Sequence, residues 1–206
     1  MGRRLLGVLM GLVCSAAVAA APVCPAGQQQ VCVLVCFCAP GTPETEVMAE
    51  QVGQAAAVAL QQWLLRAREV AVARGVQPMP LHIRVQLEPF YPAHVLNAAR
   101  YRVGGAEELN AANAVLQNPD VSAVTLVDVV IFRHVADAED NLVLWAHELT
   151  HVEQYQAWGV AQFAARYIRD YSSVEAPAYR KQQDVANALG ITPQFAPIPA
   201  PAPLRP

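Results

Sequence analysis

Two histidines and a glutamate stand close together in the segment His147-Glu148-Leu149-Thr150-His151. On a helix, residues four apart share one face, so both imidazoles can bind a single cation. Glu148 is offset far enough to miss the cation and to reach a water bound to it. Zn²⁺ lowers the pKa of such a water towards about 7, and the carboxylate can take its proton during attack on a carbonyl. The segment therefore predicts a zinc site with Glu148 as general base.

A catalytic zinc needs a third protein ligand and an open position for water. The stretch 152–158 contains no glycine and no further histidine, so a three-histidine site is not expected. Glu175 follows His151 by 24 residues and begins a helical stretch after a turn at 171–173. Two helices joined by a short linker can bring that carboxylate over the histidines, so we expect Glu175 to be the third ligand. Two other acids remain alternatives at this stage: Asp170 and Asp184.

The residues around this motif resemble the eCIS core family of bacterial domains, named for its association with extracellular contractile injection systems. The usual pattern in that family is H-E-L-x-H-V-x-Q, followed by a helix with E-A-x-x-Y. This chain has H-E-L-T-H-V-E-Q at 147–154 and E-A-P-A-Y at 175–179, and the resemblance covers roughly 121–185. It implies a zincin-like metallopeptidase. It is also similar to the gluzincin metallopeptidases, whose third ligand is a glutamate on a later helix, which supports Glu175.

A tyrosine near the metal could donate a hydrogen bond to the oxyanion that forms when a carbonyl is attacked. Tyr179 lies one helical turn beyond Glu175 and is the first candidate for this role. Tyr171 and Tyr155 are alternatives, and packing in the protein interior is the competing interpretation for each tyrosine.

Metal-bound imidazoles normally donate their second nitrogen to an oxygen. Asp128 and Asp170 are the candidates for that partner, and the sequence does not choose between them. His134 could also stabilise an oxyanion. The alternative is that it is a surface histidine with no part in catalysis.

Helices dominate the predicted secondary structure. Residues 43–74 read as one long helix, because Thr42 can cap its start, apolar residues recur at helical spacing, and Gly75 can end it. Further helices are predicted over 140–158, 160–170 and 174–189, with Gly159 ending the first and Gly190 the last.

Two segments have the composition of strands. Apolar and polar residues alternate over 81–88, which predicts a half-exposed strand. The β-branched, apolar run 121–132 predicts a single strand, whose edge could pair with an extended peptide. No element is assigned within 89–120. The predicted fold is α+β and zincin-like, with a small antiparallel or mixed sheet packed on the metal-binding helix and further helices.

The amino terminus has the features of a secretory signal peptide over 1–20. Arg3 and Arg4 precede an apolar run over 5–13, which is too short to span a membrane and is followed by small residues. No second stretch is long enough to cross a bilayer, so we expect an exported chain, periplasmic or extracellular. The rest divides into a cysteine-rich segment (21–42), the zincin-like domain (43–190) and a flexible, proline-rich tail (191–206).

Four cysteines follow the signal peptide: Cys24, Cys32, Cys36 and Cys38. In an exported chain an even number predicts disulfides, here two, with three possible connectivities. The alternative is a soft-metal site, since Cys32, Cys36 and Cys38 would share one face of a strand.

The overall composition limits the possible functions. Apolar residues make up 54% and charged residues 15% of 206 residues, which allows a large core and excludes wholesale disorder. A net charge of −3 without a basic block excludes a nucleic-acid partner.

The sequence therefore predicts an exported zinc metallopeptidase whose substrate is a peptide or protein. The alternative is a secreted accessory or interaction protein that keeps the metal site without catalysis. A metal-binding or redox protein that uses the cysteines is a third hypothesis.

Overall fold

The computed structural model describes residues 24–33, 35–104 and 122–191. The predicted signal peptide lies outside these residues, as does the predicted tail apart from Ile191. The described part is α+β, as predicted, with strands β1 to β6 and helices α1 to α5. In chain order the elements are β1 (Gln28–Val33), β2 (Val35–Pro40), α1 (Pro43–Ala73), β3 (Gln77–Pro78), α2 (Leu81–Leu87), α3 (Ala93–Ala98), β4 (Arg100–Val103), β5 (Ala123–Leu126), β6 (Val129–Phe132), α4 (Val135–Asp140) and α5 (Leu142–Leu189).

Helix α1 forms as the sequence predicts. Thr42 and Thr45 make a capping box at its start, with Pro43 in the first helical position and Glu44 and Glu46 in the first turn. These residues satisfy free backbone N–H groups and favour the positive end of the helix dipole. The helix ends at Ala73, one residue before the predicted boundary.

The central sheet has four strands in the order β3-β4-β6-β5. Strands β4 and β6 are parallel, whereas β3–β4 and β5–β6 are antiparallel, so the sheet is mixed. Within the described ranges, β5 lies at one edge of this sheet.

The single strand predicted over 121–132 is wrong, because the chain reverses at Val127 and Asp128 to form the β5–β6 hairpin. Val127 has a positive φ of 65°, a conformation that β-branched residues rarely adopt. Arg68 of α1 forms a bidentate ion pair with Asp128, with Nη2 2.7 Å from Oδ2. The reversal is thus held by a partner distant in sequence, which local composition does not reveal.

The strand predicted over 81–88 is also wrong, because this segment is helix α2. Ile83 and Leu87 are buried, while Leu81 and Val85 are exposed. Residues four apart therefore face the core, as on a helix. The alternating pattern of a strand also places apolar residues four positions apart. Only the packing therefore distinguishes a strand from a helix in this segment.

Both faces of the central sheet are covered, which explains why β5 and β6 are buried along their whole length. On one face, Val130 and Phe132 belong to a core that contains Trp145 and Leu149 of α5, together with residues of α2 and α3. The other face packs against α1 through residues from both elements: Leu60, Leu64, Val124, Leu126, Val129 and Ile131.

Helix α5 consists of three helical segments, as predicted, separated by non-helical backbone at Gly159 and Asp170. Gly159 has φ 75° and ψ 160°, which a glycine adopts without strain. The Asn141 side chain caps the first segment by accepting a hydrogen bond from Leu144 N at 3.0 Å. These two bends allow the third segment to return towards the first.

The amino-terminal segment forms the antiparallel pair β1–β2, and a disulfide joins Cys24 to Cys38. The prediction that Cys32, Cys36 and Cys38 lie on a single strand is therefore wrong. Cys32 lies on β1 and is paired in the register with Cys36 on β2. A second disulfide remains a prediction. No helix in the described ranges combines the length and apolar character needed to cross a bilayer.

Candidate metal centre

The bends of α5 bring together residues that are distant in sequence. His147 and His151 lie on its first segment, one turn apart, and Glu175 lies on its third segment. One side-chain ligand atom from each residue lies within 4.8 Å of those of the other two, so the group could hold a metal ion. The structure thus places the Glu175 carboxylate next to the histidines, as its spacing from His151 in the sequence suggested. It does not place the alternatives Asp170 and Asp184 in this group.

The distances fit a small tetrahedral cation. His147 Nε2 and His151 Nε2 are 3.1 Å apart, and Glu175 Oε2 lies 3.2 and 3.5 Å from them. Ligands at about 2.0–2.1 Å from tetrahedral zinc lie about 3.3 Å from one another. Three such atoms form one triangular face of a tetrahedron, which leaves the fourth position for water or substrate. Two imidazoles and a carboxylate are also ligands that zinc accepts.

Gln154 determines which nitrogen of His151 faces this centre. Its amide nitrogen donates to the carbonyl oxygen of Val174 at 2.8 Å, so its amide oxygen faces His151 Nδ1 at 2.9 Å. That oxygen can only accept, so Nδ1 carries a proton, and Nε2 is the nitrogen that presents a lone pair once the ring is neutral. This is the tautomer that a cation requires.

The carboxylates predicted to hold the second imidazole nitrogens do not do so. Asp128 pairs with Arg68, and Asp170 Oδ1 accepts a hydrogen bond from Ser173 N at 3.3 Å. The Gln154 amide oxygen, and not a carboxylate, accepts the hydrogen bond from His151 Nδ1. His147 Nδ1 is buried and has no hydrogen-bond partner in the part of the chain that the structure describes.

The electrostatics of the group favour a positive charge at its centre. Burial by itself would lower the pKa of His151, but the carboxylates of Glu175 and Glu148 and the Gln154 contact raise it to about 9. Burial by itself would raise the pKa of Glu175, but the two imidazoles hold that pKa well below its usual range. An ionised carboxylate beside two nitrogen donors is the charge arrangement of a cation site.

Glu148 lies beside the group and is almost completely buried. The hydroxyl of Thr125, on the edge strand β5, donates to Glu148 Oε2 at 2.7 Å. A buried carboxylate needs such a donor. The sequence did not identify Thr125, because a threonine in an apolar strand shows no sign of a partner 23 positions away.

Tyr179 is the predicted tyrosine that reaches the group. Its ring packs edge-on against that of His147, with centroids 4.6 Å apart. Burial, followed by the charges of Glu175 and Glu148, raises the pKa of Tyr179 to about 12, so its hydroxyl keeps the proton at neutral pH. The alternative Tyr155 packs on Phe163, with centroids 3.9 Å apart, and Tyr171 is mostly exposed.

Tyr167 is a second tyrosine at the group that the sequence did not identify. Burial raises its pKa well above the ordinary value, and Glu175 adds to this through its charge and a hydrogen bond. The phenol therefore remains a donor and orients the Glu175 carboxylate.

The group borders solvent on the Glu175 side. The Glu175 side chain keeps 15% of its exposure, whereas the histidine side chains keep 10% and 8%. Tyr179, next to them, is half-buried. The ligands are thus mostly desolvated and still accessible from outside, which catalysis would require.

A family model matches part of this chain. Residues 78–159 match the family model described as the eCIS core domain, which confirms the family that the motif indicated. The match begins upstream of the limit suggested by the sequence pattern, includes His147, Glu148 and His151, and ends before Glu175. It covers less than half of the chain. No curated protein and no solved structure matches this chain.

Proposed function

We propose that this chain, whose residues 78–159 form an eCIS core domain, is an exported zinc-dependent metallopeptidase of the gluzincin type. The observation that carries the proposal is the convergence of His147, His151 and Glu175 on one centre with Glu148 beside it. A structural helix has no reason to place two imidazole nitrogens and a carboxylate oxygen at tetrahedral spacing. The zincin-like interpretation of the fold rests on the same group.

The protein's own residues would divide the chemistry among them. Zinc, when bound to His147, His151 and Glu175, supplies Lewis acidity and lowers the pKa of a coordinated water towards about 7. Glu148 takes the proton of the attacking water and passes it to the leaving amine. Thr125 engages Oε2 of Glu148, so we assign the proton transfer to Oε1.

Tyr179 is assigned to the oxyanion that develops on the substrate carbonyl. Its phenol stays protonated at neutral pH and lies next to His147. A preorganised donor aimed at developing charge is effective in a site from which most water is excluded.

The substrate is proposed to be an extended peptide. Strand β5 lies at a sheet edge within the described ranges, and its Thr125 contacts the general base. A peptide added alongside β5 would bring a scissile amide near Glu148. The location is proposed to be outside the cytoplasm. The disulfide between Cys24 and Cys38 is compatible with an oxidising compartment.

Metal analysis of the purified mature chain, combined with cleavage of a mixed peptide library, tests this proposal. We expect about one equivalent of zinc and cleavage that Glu148→Gln reduces at least about 100-fold without loss of metal. Glu153→Gln, a neighbour on the same segment, is the control and should keep activity. Absence of bound zinc would contradict the proposal. Zinc at one equivalent with no cleavage would favour the alternative, an accessory protein that retains the site.

A further inference from the structure

Two cysteines of the amino-terminal hairpin lie opposite each other on its two strands. Cys32 lies on β1 and Cys36 on β2, and the backbone register pairs them directly. That register is continuous from the pair Gln28–Pro40 onwards, so no bulge shifts one strand against the other. The proposed catalysis uses neither cysteine.

The hydrogen-bonding pattern of the hairpin shows which kind of cross-strand pair they form. In an antiparallel ladder, hydrogen-bonded pairs alternate with non-hydrogen-bonded pairs. Gly41 N donates to Gly27 O at 3.4 Å, and these residues are opposite each other when the register is continued by one position. Gly27 and Gly41 therefore form a hydrogen-bonded pair. The pair Cys32–Cys36 lies five positions further along β1, an odd number, so it is a non-hydrogen-bonded pair.

A non-hydrogen-bonded pair has the backbone spacing that a disulfide needs. The Cα atoms of such a pair are about 4.5 Å apart, and disulfides span Cα separations of about 4.4–6.8 Å. The disulfide between Cys24 and Cys38 in the same hairpin spans 5.4 Å. A bond between Cys32 and Cys36 thus requires no movement of the strands.

The other cysteines of the described ranges are poorer partners for these two. Cys38 is already joined to Cys24. Cys36 and Cys38 are two residues apart on one strand, a distance of about 6.8 Å. Cys32 and Cys38 are diagonal neighbours, about 7–8 Å apart. Both distances lie at or above the upper limit for a disulfide. The geometry thus selects one of the three connectivities that four cysteines allow.

We propose that Cys32 and Cys36 form a second disulfide, which crosses the hairpin close to its turn. The two sulfur atoms become bonded as both thiols give up their protons and, together, two electrons. The electrons pass to an oxidant that carries a disulfide, either a protein or a small molecule, which is reduced to two thiols through a mixed-disulfide intermediate. Cys24–Cys38 links the other end of the hairpin, so both ends become covalently fixed.

The two bonds hold a strand that forms part of the wall of a cleft. Gln29, Gln30 and Val31 of β1 border a cleft of about 610 Å³, together with residues of α1 and of the second segment of α5. A hairpin of two strands is only marginally stable by itself. Covalent links at both ends therefore keep β1 in place beside the helices.

Counting the free thiols of the mature chain tests the proposal. The protein is unfolded with an alkylating reagent, with and without prior reduction, and its intact mass is measured. We expect no alkylated cysteine without reduction and four after it, because four cysteines follow residue 20. Two alkylated cysteines without reduction would overturn the proposal. So would two thiols that react only after a chelator has removed a soft metal, which is the competing role of a thiol pair.

Peptide mapping of the same protein identifies the pairing without any substitution. Chymotrypsin cleaves after leucine and phenylalanine, and both occur between the cysteines. Leu34 separates Cys32 from Cys36. Phe37 separates Cys36 from Cys38. Fragmentation of the linked peptides should show Cys36 joined to Cys32, and a bond from Cys36 to any other cysteine would contradict the proposal.

Two double variants test whether the register selects the bond. Cys24→Ser/Cys38→Ser leaves the opposite pair and should still give no alkylated cysteine before reduction. Cys24→Ser/Cys36→Ser is the matched control. It leaves Cys32 and Cys38, which are diagonal neighbours, and should give two alkylated cysteines. A circular dichroism melt checks that each variant folds, and two alkylated cysteines in the folded first variant would refute the proposal.

Discussion

Gln154 accepts a hydrogen bond from His151 Nδ1 at 2.9 Å, and this contact sets the tautomer in which His151 Nε2 faces Glu175. The amide is itself oriented by the carbonyl of Val174, at the start of the third segment of α5. One side chain thus links the two segments that carry the candidate ligands.

Replacing Gln154 by Leu should weaken zinc binding about 10- to 100-fold, because the imidazole loses the contact that orients it. Competition with a chelator of known affinity measures the effect. Glu153→Gln is the adjacent control. Equal zinc affinity in Gln154→Leu and the native chain would show that the contact does not orient the ligand.

Thr125 should influence turnover rather than metal binding. Thr125→Val keeps the shape of the side chain and removes the hydroxyl that donates to Glu148 Oε2 at 2.7 Å. We expect kcat to fall about tenfold with zinc stoichiometry unchanged, since a misplaced base slows proton transfer. Thr125→Ser restores the donor and should recover most of the rate. Loss of zinc in the valine variant would instead indicate a structural role.

Zinc binding should release a proton near neutral pH. The pKa of His151 is about 9 in the metal-free protein, so below that pH zinc must displace a proton from the ring. Affinity should therefore rise by up to about tenfold per pH unit from pH 6.5 to 8.5. Glu175 is ionised throughout this range and adds no proton, because its pKa lies well below its usual range.

Calorimetry in buffers of different ionisation enthalpy counts the protons released. A value near zero at pH 7.5 would be incompatible with a protonated His151 in the metal-free site. Glu175→Gln removes the nearest charge that raises the His151 pKa, so an NMR titration of this variant without metal should give a lower pKa for His151 than in the native chain.

The ion pair between Arg68 and Asp128 should stabilise the β5–β6 hairpin modestly. Both side chains keep about a third of their exposure, so Asp128→Ala should lower the free energy of unfolding by about 1 kcal/mol. Urea titration of both single variants and of Arg68→Leu/Asp128→Ala measures the coupling. A coupling energy of zero would mean that the turn is held by the strands alone.

Local sequence was sufficient for the features that depend on neighbours along the chain. The i, i+4 spacing of His147 and His151 puts both rings on one helix face, whatever the rest of the fold. Capping at Thr42 and breaks at glycine likewise predicted the limits of α1 and the segments of α5. Glu175 was reached from helix spacing and from the family pattern together.

Sequence reasoning failed where two local structures share one pattern. The alternation over 81–88 also places Ile83 and Leu87 four residues apart, and burial of that pair against α5 selects the helix. The strands β5 and β6, which lie within the apolar run 121–132, are buried on both faces, so the run has no period that would reveal the reversal at Val127. Arg68, some 60 residues earlier, holds that turn.

The sequence by itself determined which candidate metal-binding and catalytic groups are present: two imidazoles on one helix face, an adjacent carboxylate and a later glutamate. It also indicated the family. Only the tertiary structure decided which groups assist them, since Thr125 and Tyr167 act through contacts across segments and Gln154 is oriented by Val174 of another segment. The physical reason is that helix periodicity fixes the direction of nearby side chains, whereas contacts between distant residues depend on how whole elements compete for burial.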